Sequence, residues 1–265
     1  MLKTLAWTAA ATAALLARAE IKTEVVEYRE GTTTLEGFVA YDASLTGKRP
    51  VIVVVHQWMG LTDYERKRAE MLAGLGYVAF CADIYGKGVR ATNPGDAAKL
   101  AGKFKDDRPL LQARVNAALA AAKRHPRADA ANSAAIGYCF GGTTVLELAR
   151  SGADTKGVVS FHGGLGTPTP AAAGAVKAKV LALHGAEDPF VLPAEVAAFE
   201  KEMRDAGADW QLVAYGGAVH SFTDWNVAKL NLAGAAYNDK ADRRSWEAMQ
   251  SFFRELFGPA ARVSP

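Results

Sequence analysis

The stretch "IGYCFGGTTV", residues 136–145, decides how the chain is read. Apolar residues lead in, Gly137, Gly141 and Gly142 surround Cys139, and a helix-forming run follows. The order is strand, sharp bend, helix. Such a bend strains the backbone, so only small residues fit two positions either side, and it presents its side chain at the end of a sheet. G-x-C-x-G is therefore the nucleophile elbow G-x-S-x-G with a thiol in the hydroxyl's place. The helix N-terminus below it favours the thiolate. A glycine-flanked buried cysteine is the plainer alternative, because the motif is short.

The rest of the chain supplies the sheet that the bend requires. "KTEVVEYRE" and "TTLEGFVAYD" read as two strands turning at Gly31-Thr32, an antiparallel hairpin. The unbroken β-branched run in "PVIVVVH", residues 50–56, implies a strand buried on both faces. A helix follows from about Thr62 to Leu75. Thr62 and Glu65 form its capping box, Tyr64, Met71 and Leu75 share a face, and Gly76 ends it. "YVAFCAD" is a strand, residues 94–124 are largely helical, and "SAAIGYC" is a strand. "GVVSFH" and "KVLALHG" are strands, Pro193 opens a helix at its first turn, and "DWQLVAYGG" is the last strand. Trp246, Met249, Phe253 and Leu256 stripe a C-terminal helix. This alternation predicts an α/β fold: a mostly parallel sheet, helices on both faces, and an antiparallel N-terminal hairpin. In such sheets ligands bind beyond the carboxyl ends of the strands. His56, Asp83, Cys139, His162 and His184 all fall there.

The candidate partners of Cys139 come in a telling order. Asp188 in "AEDPF" lies just past one strand, and Pro189 stiffens its turn. His220 in "AYGGAVHSF" lies past the last strand, where Gly216-Gly217 lets the chain bend. Nucleophile, acid, histidine is the order of an α/β-hydrolase triad. In that arrangement Asp188 holds the imidazole, His220 takes the thiol proton, and Cys139 attacks a carbonyl. Taken singly, Asp188 could cap a turn and His220 could be a surface histidine. The oxyanion would need two backbone N–H donors, expected from Phe140 and from Trp58 in the loop "QWMG".

Composition bounds the rest. The chain has 265 residues, half of them apolar and about a fifth charged, with a net charge of +3. That suits one domain with a substantial core, and no linker or internal repeat divides residues 20–265. Basic residues are scattered, which speaks against a nucleic-acid partner. "MLKTLAWTAAATAALLARAE" departs from the rest: Lys3, a short apolar run and Ala17-Arg18-Ala19 fit a secretory leader over residues 1–19. That implies a periplasmic or secreted protein without a membrane anchor once processed, and a cytoplasmic one if the segment is an uncleaved helix. Cys81 lies in an apolar strand and reads as core, although a Cys81–Cys139 disulfide remains an alternative. No H-x-H or H-E-x-x-H spacing is present, so no metal site is expected. His56, His162 and His184 read as hydrogen-bonded structural residues. Trp58, Tyr85, Phe161 and Trp225 either line an apolar pocket or belong to the core.

"HQWMGLTDY", "ADIYGKG", "IGYCFGG", "SFHGG", "HGAEDP" and "AVHSF" together resemble the dienelactone hydrolase family over about residues 50–225. The resemblance implies an α/β-hydrolase that cleaves small lactones and esters without a cofactor, of the carboxymethylenebutenolidase type. It places the triad on Cys139, His220 and Asp188 and the oxyanion donors on Phe140 and Trp58. Two positions depart from it. The family has a glutamate at Gln57 that helps generate the thiolate, and an arginine at Asp224 that helps hold a substrate carboxylate. Lys87 or Arg90 after "DIYG" are the remaining candidates to meet an anion, with Gln57 beside the substrate; exposed loop charge is the other reading of the two basic residues. The sequence thus points to a thiol-dependent hydrolase of small esters or lactones. The rival reading, resting on Gln57 and Asp224, is a catalytically weak binding or redox-sensing protein that kept the fold.

Overall fold

The computed structural model describes residues 19–259. The expected leader, residues 1–19, thus falls almost wholly outside the described residues. Eight strands form one sheet in the order β1-β2-β4-β3-β5-β6-β7-β8. Strands β1 (Ile21–Glu30) and β2 (Thr33–Asp42) form the antiparallel hairpin. β2 joins β4 (Val78–Ala82) antiparallel, through Phe38 opposite Cys81. From there β3 (Arg49–Val55), β5 (Ala128–Tyr138), β6 (Gly157–Phe161), β7 (Lys179–Gly185) and β8 (Trp210–Tyr215) run parallel.

The central strand explains the two-layered covering. Successive side chains of a strand point to opposite faces. Val51, Val53 and Val55 pack on the face covered by α2 (Pro94–Asp106), α3 (Arg108–Lys123), α4 (Phe140–Arg150) and α5 (Pro193–Asp205). Ile52 and Val54 pack on the face covered by α1 (Asp63–Gly74) and α6 (Asp239–Phe257). All five are fully buried, so no position in this run can face water.

Local chemistry sets the element boundaries. The expected capping box is present at α1, with Thr62 N donating to Glu65 Oε2 at 2.8 Å and Tyr64 N to Thr62 Oγ1 at 3.3 Å. Residues 94–124 are two helices. Pro109 has no N–H with which to extend α2, and its ring would clash with the helix behind it. Asp107 instead ends α2 and caps α3, accepting Leu110 N at 3.0 Å. β5 begins at Ala128, before the expected Ser133, and its register against β3 shifts between Pro50 and Val51. Cys81 and Cys139 are both free thiols, which removes the disulfide alternative.

Candidate active site

Cys139 is the N-cap of α4, immediately beyond β5, with φ 55° and ψ −113°. This is a left-handed backbone on a residue with a side chain, a conformation the surrounding structure must enforce. The flanking glycines show how tightly. A Cβ on Gly137 would stand 2.0 Å from the carbonyl oxygen of Gly141, and one on Gly141 would stand 2.3 Å from that of Val55. The bend brings helix and strand so close that neither position admits a side chain.

The three separate strand ends converge. Asp188, in the turn after β7, spends one carboxylate oxygen on Phe190 N at 2.9 Å. Its other oxygen is 2.8 Å from His220 Nδ1, and His220 Nε2 is 3.1 Å from Cys139 Sγ. His220 is fixed from the far side as well, its N–H donating to Gly234 O at 3.2 Å. Asp188 and His220 are buried, whereas Cys139 is partly open to a cavity.

Electrostatics follow from this line of groups. Burial pushes the Cys139 thiol up. The charge and hydrogen bond of His220 outweigh that, Lys105 and the Phe140 N–H assist, and the thiol lies below its ordinary value. Burial pushes His220 down, but the thiolate's charge and the Asp188 hydrogen bond raise it to about 10. Each group thus favours the charged form of the other.

Cys139 and His220 open into a cavity of about 300 Å³. Its walls are mainly apolar: Trp58, Phe190, Val191, Val227, Leu230 and Leu232, with Lys105 as a charged member. The loop carrying Trp58 is held at its first two residues. Gln57 N donates to Glu65 Oε1 at 3.1 Å, and Tyr85 Oη donates to Trp58 O at 2.8 Å. Glu65 thus closes the capping box with one oxygen and anchors this loop with the other. Burial raises its carboxyl above the usual range.

The residues expected to contact substrate lie elsewhere. Gln57 donates from Nε2 to Asp224 Oδ2 at 2.9 Å, so the two positions that depart from the family pattern satisfy each other. Gln57, Arg90 and Asp224 line a second cavity of about 290 Å³, divided from the first by Trp58 and Leu230, which border both. Arg90 Nε donates to Leu61 O at 2.8 Å. Lys87 pairs with Glu27 on the hairpin and borders neither cavity. Of the four aromatic candidates, Trp58 lines the cavity that Cys139 opens into. Tyr85 and Phe161 are core, and Trp225 is exposed against Tyr64 and the Arg68 guanidinium.

Sequence reading missed Lys105, Phe190, Val191 and the apolar side chains of the loop after His220. Phe190 and Val191 carried a signal, since they directly follow the Asp188 turn. The histidines at strand ends have separate structural places. His56 Nδ1 donates to Gln57 O at 2.6 Å and Nε2 accepts from Ile84 N, and burial lowers it to about 4. His162 accepts from Cys139 N at 3.1 Å. His184 departs from expectation: its Nδ1 is buried without a hydrogen-bond partner. Among the described residues no cluster of His, Cys, Asp and Glu is arranged to hold a metal ion.

The pattern of the dienelactone hydrolase family matches residues 35–257. The chain belongs to the dienelactone hydrolase family. A dienelactone hydrolase-like promiscuous phosphotriesterase from metagenomic libraries shares 39% identity, covering 90% of this chain and 99% of its own, with a TM-score of 0.87. An uncharacterized Caenorhabditis elegans protein is 36% identical over 152 residues, 56% of this chain and 94% of that one. A dienelactone hydrolase from Anabaena variabilis, at 21% identity and a TM-score of 0.60, covers 81% of this chain and 95% of its own and shows the shared fold. Family membership makes the protein an ester- or lactone-cleaving hydrolase.

Proposed function

We propose that the protein hydrolyses small carboxylic esters or lactones through a thioester on Cys139. The Cys139 thiolate attacks the acyl carbon, and the Trp58 and Phe140 N–H groups stabilise the oxyanion. As the intermediate collapses, the alkoxide leaves with the proton of His220. Neutral His220 then takes a proton from water as that water attacks the thioester. Collapse of the second oxyanion releases the acid and returns the thiolate, and His220 is again imidazolium beside it. Asp188 holds the ring in one orientation throughout and favours its charged form.

The observation that carries this reading is the unbroken line Asp188, His220, Cys139, at 2.8 and 3.1 Å, ending at an apolar cavity. The cavity walls suit short acyl or aryl groups. The test is hydrolysis of p-nitrophenyl acetate and butyrate by the wild type, the alkylated protein and Cys139→Ala. Alkylation and the substitution are each expected to remove at least about a thousandfold of kcat/KM while circular dichroism stays unchanged. An alanine variant with more than a tenth of the activity would overturn the assignment.

A further inference from the structure

Behind the thiol, on the side away from the cavity, lies a buried chain of hydrogen bonds. The Cys139 N–H forks between Phe161 O at 3.0 Å and His162 Nδ1 at 3.1 Å. A backbone N–H can only donate, so His162 Nδ1 carries no proton. Its proton is on Nε2, which faces Thr223 Oγ1 at 2.7 Å. Thr223 then donates its own hydroxyl proton to Tyr64 Oη at 2.6 Å, and Arg68 Nε donates to the same Tyr64 oxygen at 3.2 Å. Arg68 is tied in turn to Asp242 on α6 at 2.5 Å. One tautomer of His162, protonated on Nε2, is compatible with every bond in the series.

The environment keeps the ring neutral, as that tautomer requires. His162 is fully buried, and burial, then the charge on His220, keeps it well below the ordinary histidine value. Arg68 adds to the same effect. His162 itself has φ 40°, so the residues just past two neighbouring strands, Cys139 after β5 and His162 after β6, both have left-handed backbone and are bonded to each other.

We propose that His162 is a positioning residue for the nucleophile: neutral, protonated on Nε2, it accepts the Cys139 N–H and holds the thiol against His220. This rests on Cys139 being the nucleophile. The Phe161 carbonyl remains as an acceptor whatever stands at 162, so the elbow survives substitution while its aim is lost. Thr223 bonds to His162 and follows His220 by three residues, so one network fixes both members of the thiol–imidazole pair.

The test exploits reach. Asn in place of His162 offers an oxygen near the Nδ1 position and tolerates left-handed φ. Gln offers an amide near the Nε2 position, and Phe fills the volume with no polar atom. We expect His162→Asn to keep activity within about threefold, and His162→Gln and His162→Phe to lose kcat by roughly 10- to 100-fold with KM little changed, the cost of a misplaced reacting atom. The alkylation rate of Cys139 against pH, measured without substrate, should shift its acid limb upward by about one unit in Gln and Phe but not in Asn, because a looser ion pair stabilises the thiolate less. If Gln titrates as the wild type does, or if Asn is as impaired as Gln, the proposal is wrong. Thiol titration needs no turnover, so this result is separate from the fate of the esterase reading, which Cys139→Ala decides.

Discussion

Gln57→Glu restores the residue that the family places there, but it does so opposite Asp224. The amide–carboxylate hydrogen bond of 2.9 Å between two buried side chains becomes a contact between two carboxyl groups. Two unit charges at about 4 Å repel by about 4 kcal/mol at an effective dielectric of 20. The pair avoids this by keeping a proton, which restores a hydrogen bond of similar geometry. Holding that proton at pH 7 on a carboxyl with an unfolded value near 4.3 costs about 3.7 kcal/mol, so protonation and repulsion are nearly balanced there. The variant should therefore lose about 3–4 kcal/mol of stability at pH 7.

The sign with pH follows. The introduced carboxyl has a folded value raised above its unfolded one, so the folded state holds a proton that the unfolded state releases. The loss relative to wild type shrinks as pH falls through the folded value, to about 1 kcal/mol at pH 5. Urea unfolding of both proteins at pH 5 and pH 7 measures it. Equal losses at the two pH values, or a loss below about 1 kcal/mol at pH 7, would show that Gln57 and Asp224 do not share a dry contact. Adding Asp224→Arg supplies the family's opposite charge. The double variant should be more stable than the sum of the single effects predicts, even though Asp224 also accepts Asn226 N at 2.7 Å.

Two further outcomes are expected. Lys105→Met removes the cation that helps lower the Cys139 thiol; alkylation at pH 6 should slow, and kcat/KM for esters bearing a carboxylate should fall more than for matched neutral esters, with equal falls counting against a role for this charge in the cavity. If residues 1–19 are an export leader, N-terminal sequencing of protein from its native host should begin near Glu20, and an intact Met1 or Leu2 start would rule export out.

What the sequence made legible is what local chemistry controls. The elbow glycines, the capping box at Thr62 and Glu65, the two-faced burial of residues 51–55 and the order of Cys139, Asp188 and His220 each follow from neighbours in the chain. The break at Asp107 was also local, since Pro109 forbids a continuous helix, but apolar periodicity on both sides concealed it. The cavity beside Cys139 was not legible in the same way. Val227 and Leu230 sit on one 3-10 turn, Val227–Leu230, and Leu232 follows it; a turn this short leaves no periodic signal in the sequence, and it becomes a wall only by folding back over the thiol.

Long-range pairing is where residue-by-residue reading misled. Gln57 and Asp224 are 167 residues apart; alone, Gln57 looked like a lost base and Asp224 like a lost substrate contact. Together they are a matched pair: an amide can donate to a carboxylate where a carboxylate could not. Asp224 at the arginine's place thus calls for a donor opposite, and the Gln57 amide supplies one without adding a second negative charge. The thiolate does not need a carboxylate at position 57 as its base if His220, held by Asp188, already pairs with Cys139 in the free protein. The two departures therefore change the lining of the second cavity and leave the Asp188–His220–Cys139 line of the first intact.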